Sequence, residues 1–327
     1  MTDSNKSEAL TNPFMSNALK DVQTGIIRQW FQSFSHFFDL SDIAWRKITR
    51  QQTDALFFYI DSLQQKPAES TRGKSGVNKS VTTGVAVVTG GIGGIGTDIC
   101  RRLTDEGNSV ISTYLAGEKN EALAWQKERR KEGLEIDLFE CDVTDFNACK
   151  MMAAQIEKKY GAVDILVNCA GITRDAVFTK MEPESWHAVL DTNLDSVFNI
   201  TRSFVNGMIK RNYGRIINIS SVNGQKGQFG QTNYSAAKAG MIGFTRTLAL
   251  ELAGNGITVN CICPGYVHTG MVDQMREDIR DAIIAQIPLG RLAKPAEIAA
   301  AVAFLADREC AYITGTEIAV NGGLWLG

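Results

Sequence analysis

A tyrosine and a lysine stand four residues apart, Tyr234 and Lys238, in NYSAAK, and Ser221 precedes the tyrosine by thirteen residues across a loop rich in Gly and Gln. On the helix predicted for this stretch, positions i and i+4 share a face. An ammonium beside a phenol favours phenolate and lowers the tyrosine pKa, which makes the phenol a usable acid or base near neutral pH. Ser221 follows the apolar run RIINIS, at the end of a predicted strand, where its hydroxyl could bond a reacting carbonyl oxygen. The three together suit hydride transfer, in which a cofactor brings the hydride and the protein brings the proton and the orientation. By spacing alone, YxxxK is also a common accident of helical sequence.

A second chemical signal lies upstream. The β-branched run GVAVVT (84–89) leads straight into TGGIGGIG and then into the helical TDICRRLTDEG. A strand, a Gly-rich turn and a helix N-terminus make a phosphate site, because the glycines admit close backbone approach and the helix dipole favours the anion. Gly90, Gly94 and Gly96 set the spacing TGxxxGxG. The second strand is expected to end near Tyr114, where an NAD-binding chain often places Asp or Glu for the ribose 2′-hydroxyl. Here the sequence reads STYLAGEKN. The missing acid favours NADP over NAD, with Ser112, Thr113 and Lys119 as contacts for a 2′-phosphate; Glu118 nearby and the lack of an arginine temper that reading.

These motifs need a scaffold, and residues 83–327 supply its pattern. The runs VISTY (110–114), IDLFEC (136–141), VDILVN (163–168), RIINIS (215–220) and ITVNCIC (257–263) follow the first strand, with helical stretches between them. Alternating buried strands and helices predict an α/β domain with a doubly wound parallel sheet. Net charge is −2, with 34 basic against 36 acidic residues, so the chain carries no electrostatic footprint for nucleic acid. Seven cysteines without a CxxC read as reduced thiols, and Cys261 and Cys263 as core positions before a metal pair. Three scattered histidines make a zinc site or a Ser-His-Asp triad improbable, so no metal is expected. The longest apolar run, IAAAVAFLA (298–306), is too short to span a bilayer, and MTDSNKSEAL is no secretory signal; a cytoplasmic protein is expected.

Residues 1–82 follow a different grammar. They hold ten of the 27 aromatic residues. Leu19, Val22, Ile26, Trp30, Phe34 and Phe37 recur at helical steps, and Leu56, Tyr59, Ile60 and Leu63 suggest a second amphipathic helix. Residues 1–65 are therefore expected to form a helical extension. Residues 66–82, polar and without apolar period, read as a flexible linker.

Taken together, residues 84–327 resemble a short-chain dehydrogenase/reductase of the Rossmann type, with the motifs in that family's order. TGGIGGIG matches the cofactor loop, which includes Ile95. Asp142 in CDV, beside Val143, matches the acid that binds adenine. NCAG, with Asn168, Ala170 and Gly171, matches NNAG, with Cys169 departing where a second Asn is usual. Asn193 matches the catalytic Asn, and Ser221, Tyr234 and Lys238 the catalytic Ser and YxxxK. Pro264 and Gly265, with Val267 and Thr269, match the segment at the nicotinamide end. The resemblance implies that Tyr234 gives the proton, Lys238 also holds the nicotinamide ribose, and Asn193 helps hold a water in a proton relay.

GITRDAVFTKM (171–181), SSVNGQKGQFGQTNYSAAKAG (220–240) and PGYVHTGMV (264–272) resemble the acetoacetyl-CoA reductase branch of the family, which serves polyhydroxybutyrate synthesis with NADPH. That likeness implies an acyl-CoA substrate, an acyl pocket lined by Gln228, Phe229, Gln231 and Tyr266, and a homotetramer. Two alternatives stay open. One is a 3-oxoacyl-ACP reductase, with Arg211 and Arg215 as candidates for the basic patch an acidic carrier needs. The other is a scaffold or granule-surface protein, binding a polyhydroxybutyrate granule or a granule protein through residues 1–65.

Overall fold

The computed structural model describes residues 84–270 and 276–327. Seven parallel strands form one sheet: β1 (Val85–Val88), β2 (Ser109–Tyr114), β3 (Ile136–Glu140), β4 (Ile165–Asn168), β5 (Gly214–Ile219), β6 (Ile257–Pro264) and β7 (Glu317–Val320). Their spatial order is β3-β2-β1-β4-β5-β6-β7. The chain thus winds outward from β1 in one direction and then reverses to start β4 on its other side. The six strands expected from the sequence are present, each within a residue or two of its apolar run. The short β7, EIAV at the sheet edge, is an addition.

Helices cover both faces, as parallel strands require. On one face pack α1 (Gly94–Asp105) and a later helix, Pro295–Ala306; the latter is the IAAAVAFLA run, buried against the sheet. On the other pack α3 (Phe146–Tyr160), α5 (Ser196–Arg211) and α7 (Thr232–Leu252), while α2 (Lys119–Lys131) precedes β3 and α4 (Pro183–Leu190) precedes α5. The strand alternation explains the division. Val85 and Val87 join one core with Met152, Phe204 and Met208. Ala86 and Val88 join the other with Ile99, Leu103 and Val302. Cys261 and Cys263 are wholly buried beside Ile242, as core thiols. Among the described residues no cluster of three metal-ligating side chains occurs, and no helix is long and apolar enough to cross a membrane. The expected helices and linker of residues 1–82 lie outside the described residues.

Arg215, near the start of β5, is only 2% exposed. Its guanidinium donates to the carbonyls of Gly214, Gly256, Asp307 and Arg308, and it lies over the Tyr213 ring, 4.6 Å from its centroid. It ties the turns at the amino ends of the strands together. Arg215→Met would orphan those carbonyls. We expect a loss of about 3 kcal/mol and a fall in Tm of roughly 6–12 °C by thermal unfolding. An unchanged Tm would contradict the assigned role.

Candidate active site

The carboxyl ends of the strands open into one cleft of about 860 Å³. It sits where the strand order reverses, between β1 and β4, the place an open α/β sheet leaves for a ligand. Its floor is the glycine turn. Gly90 has φ of +63°, a conformation that L side chains rarely adopt. A Cβ on Gly96 would stand 2.3 Å from the Gly90 carbonyl oxygen, and one on Gly94 would stand 2.8 Å from Thr269 Cγ2. The turn is therefore closed to larger residues, and α1 starts on it, its first residues Gly94, Ile95 and Gly96 lining the cleft. This cradle fits a dinucleotide pyrophosphate.

Most of the residues expected at a cofactor site line this cleft. Gly90, Gly94, Ile95 and Gly96 do so from the first turn. Asp142 and Val143 line it beyond β3, and Ala170 and Gly171 beyond β4. Pro264, Gly265, Val267 and Thr269 line it from the segment after β6. Asn168 does not. It is buried behind the cleft, and its amide donates to Thr201 Oγ1 and Asn218 Oδ1, so it holds strands and helix together. At the second strand, Thr113 lines the cleft, but its hydroxyl accepts from the Gly90 amide. Ser112 is fully buried, and neither it nor Lys119 lines the cleft. Glu118 does line it, with its carboxylate accepting from the Leu115 amide at 3.0 Å.

Ser221, Tyr234 and Lys238 meet at the centre. Ser221 lies just beyond β5 and caps the five-residue helix α6 (Val222–Lys226); its Oγ accepts from the Asn223 amide at 3.1 Å. Tyr234 and Lys238 share a face of α7, the ammonium lying 5.6 Å from the ring centroid. The Lys238 Nζ donates to the Ile219 carbonyl at 2.8 Å. Burial pushes the Tyr234 phenol up, and a hydrogen bond from Ser221 pulls it down. Burial pulls Lys238 down to about 8. The expectation that Lys238 lowers the tyrosine pKa is thus not what this structure shows. Desolvation dominates both groups, and Lys238 spends a proton on a backbone carbonyl. Burial favours the neutral phenol over phenolate.

Asn193 is completely buried, in the π-turn Asp191–Asp195 between α4 and α5. Its amide accepts from Ile172 N at 2.7 Å and donates to Ile172 O at 2.8 Å. A Cβ on Gly171 would meet both Asn193 Oδ1 and Lys238 Nζ, so Asn193 clamps the segment beside the lysine and does not itself line the cleft.

Of the four residues expected around an acyl group, Gln231 and Tyr266 line the cleft. Gln228 and Phe229 do not; Phe229 is 85% exposed, and Gln228 accepts from Lys226. Both Gln231 amide atoms are engaged within the protein. Sequence reasoning passed over Asp175 and Asn223, which also line the cleft. Both lie inside the quoted stretches GITRDAVFTKM and SSVNGQ, but nothing in their spacing singles them out. The proposed basic patch fails on geometry: Arg215 is buried, and Arg211 pairs with Asp164, at the end of the sheet opposite the cleft. A second cavity, of about 920 Å³ beside β7 and Trp325, contains none of the three central residues.

Comparison with known proteins agrees with this geometry. A family profile described as "Enoyl-(Acyl carrier protein) reductase" matches residues 90–325. An acetoacetyl-CoA reductase of Allochromatium vinosum is 55% identical over 74% of this chain and 98% of its own length. One of Cupriavidus necator is 47% identical over 76% of this chain and 100% of its own. A 3-oxoacyl-(acyl-carrier-protein) reductase of Haemophilus influenzae is 43% identical over 74% and 98%.

Proposed function

The chain belongs to the short-chain dehydrogenase/reductase family, oxidoreductases that work with a nicotinamide cofactor, and from that premise we propose that it reduces acetoacetyl-CoA to (3R)-3-hydroxybutanoyl-CoA with NADPH. The observation that carries this reading is the meeting of a half-buried Tyr234, its phenol pushed up by desolvation, with Ser221 and Lys238 in the same cleft as the glycine cradle. The substrate rests on the relatives of about 50% identity that bear the name acetoacetyl-CoA reductase. The carrier is read as CoA from that same name, and the two arginines considered for a carrier-protein patch, Arg211 and Arg215, are away from the cleft or buried.

The reduced nicotinamide, when bound, supplies the hydride for the 3-keto carbon. Ser221 donates to the keto oxygen and fixes it against Tyr234. Tyr234 gives its phenolic proton to that oxygen as negative charge develops there. Lys238, protonated, stabilises the phenolate left behind and binds the nicotinamide ribose. Asn193 keeps Gly171 and Ile172 beside the lysine, on the side where the resemblance puts a water relay. Asp142 receives the adenine ring. NADPH is preferred over NADH because no acid ends β2 and the Glu118 carboxylate is turned onto the Leu115 amide. The product would supply polyhydroxybutyrate synthesis, and the enzyme is read as a homotetramer.

Residues 1–82 stand apart in this reading. The relatives match about three quarters of this chain over nearly their own full length, and the family match begins at residue 90. We read residues 1–65 as a helical extension for a granule or a granule protein, joined by the linker 66–82. A protein starting at residue 83 should keep reductase turnover while losing co-sedimentation with polyhydroxybutyrate granules. Retained co-sedimentation would exclude granule binding through the extension.

The chemistry has its own test. Lys238 must be charged, and its folded pKa lies near 8. The kcat/KM for NADPH oxidation with acetoacetyl-CoA should therefore hold at lower pH and fall as pH rises through about 8. Tyr234→Phe should lose about 10²–10⁴-fold in kcat while NADPH still binds, as read by nucleotide fluorescence. A Tyr234→Phe enzyme with full turnover would sink the mechanism.

A further inference from the structure

Two free thiols face each other beside Asp142. Cys141 follows β3 and lines the cleft; Cys149 lies behind it, in the first turn of α3. Their Sγ atoms are 3.8 Å apart. Cys141 is 4% exposed and Cys149 wholly buried, so the cleft is the route by which a small reagent reaches the pair. Between them run the turn Asp142–Thr144 and Asp145, whose carboxylate accepts from the Asn147 and Ala148 amides and caps α3. Cys149 therefore stands on a fixed helix start, and Cys141 on the loop that leads into it.

The turn leans on Cys149. Its thiol donates to the Asp142 carbonyl at 3.7 Å and to the Val143 carbonyl at 3.5 Å. Asn199 of α5 donates to the Val143 and Thr144 carbonyls, each at 3.1 Å. Asp142 Oδ1 in turn accepts from the Thr144 amide at 2.9 Å and the Thr144 hydroxyl at 2.7 Å. The direction of the Asp142 carboxylate is thus set by the turn. The two thiols also differ in character. The hydrogen bond from Cys149 draws the Cys141 thiol down, and the same contact, with burial, pushes Cys149 up. Thiolate character and access together select a reactive cysteine, and Cys141 has both. Cys261 and Cys263, wholly buried and away from the cleft, lack access.

We propose that Cys141 and Cys149 are a redox modification site, at which a peroxide entering the cleft joins the two sulfurs in a disulfide, shifts the Asp142 turn and weakens nucleotide binding. The Cys141 thiolate attacks one peroxide oxygen; the O–O bond breaks, hydroxide leaves, and Cys141 becomes a sulfenic acid. Cys149 sulfur then attacks Cys141 sulfur; the S–O bond breaks, and the departing hydroxide takes the Cys149 proton as water. Two thiols and one hydrogen peroxide give one disulfide and two waters. The sulfurs must close from 3.8 Å to about 2.05 Å. The loop side yields, because α3 is capped and packed, and the Asp142 and Val143 carbonyls lose their S–H donor. The consequence for binding rests on the reading of Asp142 as the adenine contact. A nucleotide seated in the cleft covers Cys141, so it shields the pair in return.

The test treats the reduced full-length protein with hydrogen peroxide, with and without NADP. It then maps all seven cysteines by peptide mass spectrometry and measures the Kd for NADPH by nucleotide fluorescence. We expect a Cys141–Cys149 linkage, lighter by two hydrogens, whose formation NADP at ten times its Kd slows by about tenfold. The Kd for NADPH should rise about tenfold, as for the loss of one hydrogen bond to a charged group, and return on reduction with dithiothreitol. Cys141→Ala, compared with its own Kd before treatment, should not respond to peroxide. A map without the 141–149 linkage would overturn the proposal, and so would a linked protein with an unchanged Kd. An equal peroxide response in Cys141→Ala would move the effect to another thiol, such as Cys169, which also lines the cleft, and would overturn it too. Failure of the underlying reading looks different: reduced Asp142→Ala protein with an unchanged Kd for NADPH would remove the adenine assignment, and the binding consequence with it.

Discussion

The structure turns on a buried ammonium. Lys238 is 4% exposed and meets one protein acceptor, the carbonyl that ends β5. A charge taken out of water is costly unless it is closely held, and the cost shows in a pKa drawn down to about 8. The surroundings are built to keep it there. Ser220 Oγ bonds the Lys238 carbonyl at 2.8 Å. A Cβ at Gly224 would stand 2.8 Å from that carbonyl carbon. Gly171 leaves room on the β4 side for Lys238 Nζ and for the Asn193 clamp. Strand β5, helix α7 and the segment after β4 are thereby locked at one point, and Tyr234 is placed one helical turn away from it.

The second half of the site follows from topology. Reversal of strand order beside β1 opens a crevice that side chains of the sheet cannot fill. Glycines at 90, 94 and 96 keep it shallow enough for a backbone-lined phosphate cradle. The cradle is contributed by the first half of the sheet and the proton-transfer group by the second. Asp142 at one end of the cleft and Tyr234 and Lys238 at the other line the same opening.

How much of this was legible depended on whether a residue's type or its surroundings determine its role. Strands β1 to β6 were readable because parallel strands are apolar throughout, whereas β7 is four residues long, half-exposed and begins with Glu317. The glycine turn could be read from the strand before it and the helix after it; spacing put Tyr234 and Lys238 on one helix face, and the family resemblance marked them as a site. Asn168 and Asn193 sit in the expected motifs, but the Asn168 NH₂ and both Asn193 amide atoms bond inside the protein, a fact of packing that no pattern states. The sign of the Tyr234 shift depends on burial, which the lysine's spacing does not reveal. Arg215 looked like a surface cation and is among the most buried side chains. Asp175 and Asn223 become visible only when the loops carrying them are brought against Gln231.

The central claim is that this cleft reduces a short 3-ketoacyl group carried on CoA. The most direct measurement compares initial rates of NADPH oxidation with acetoacetyl-CoA and with acetoacetyl-ACP, with NADH as the control cofactor. The account predicts a much higher kcat/KM for the CoA ester with NADPH than for either alternative. A clear preference for the ACP ester would contradict it and move the enzyme to the carrier-protein branch of the family.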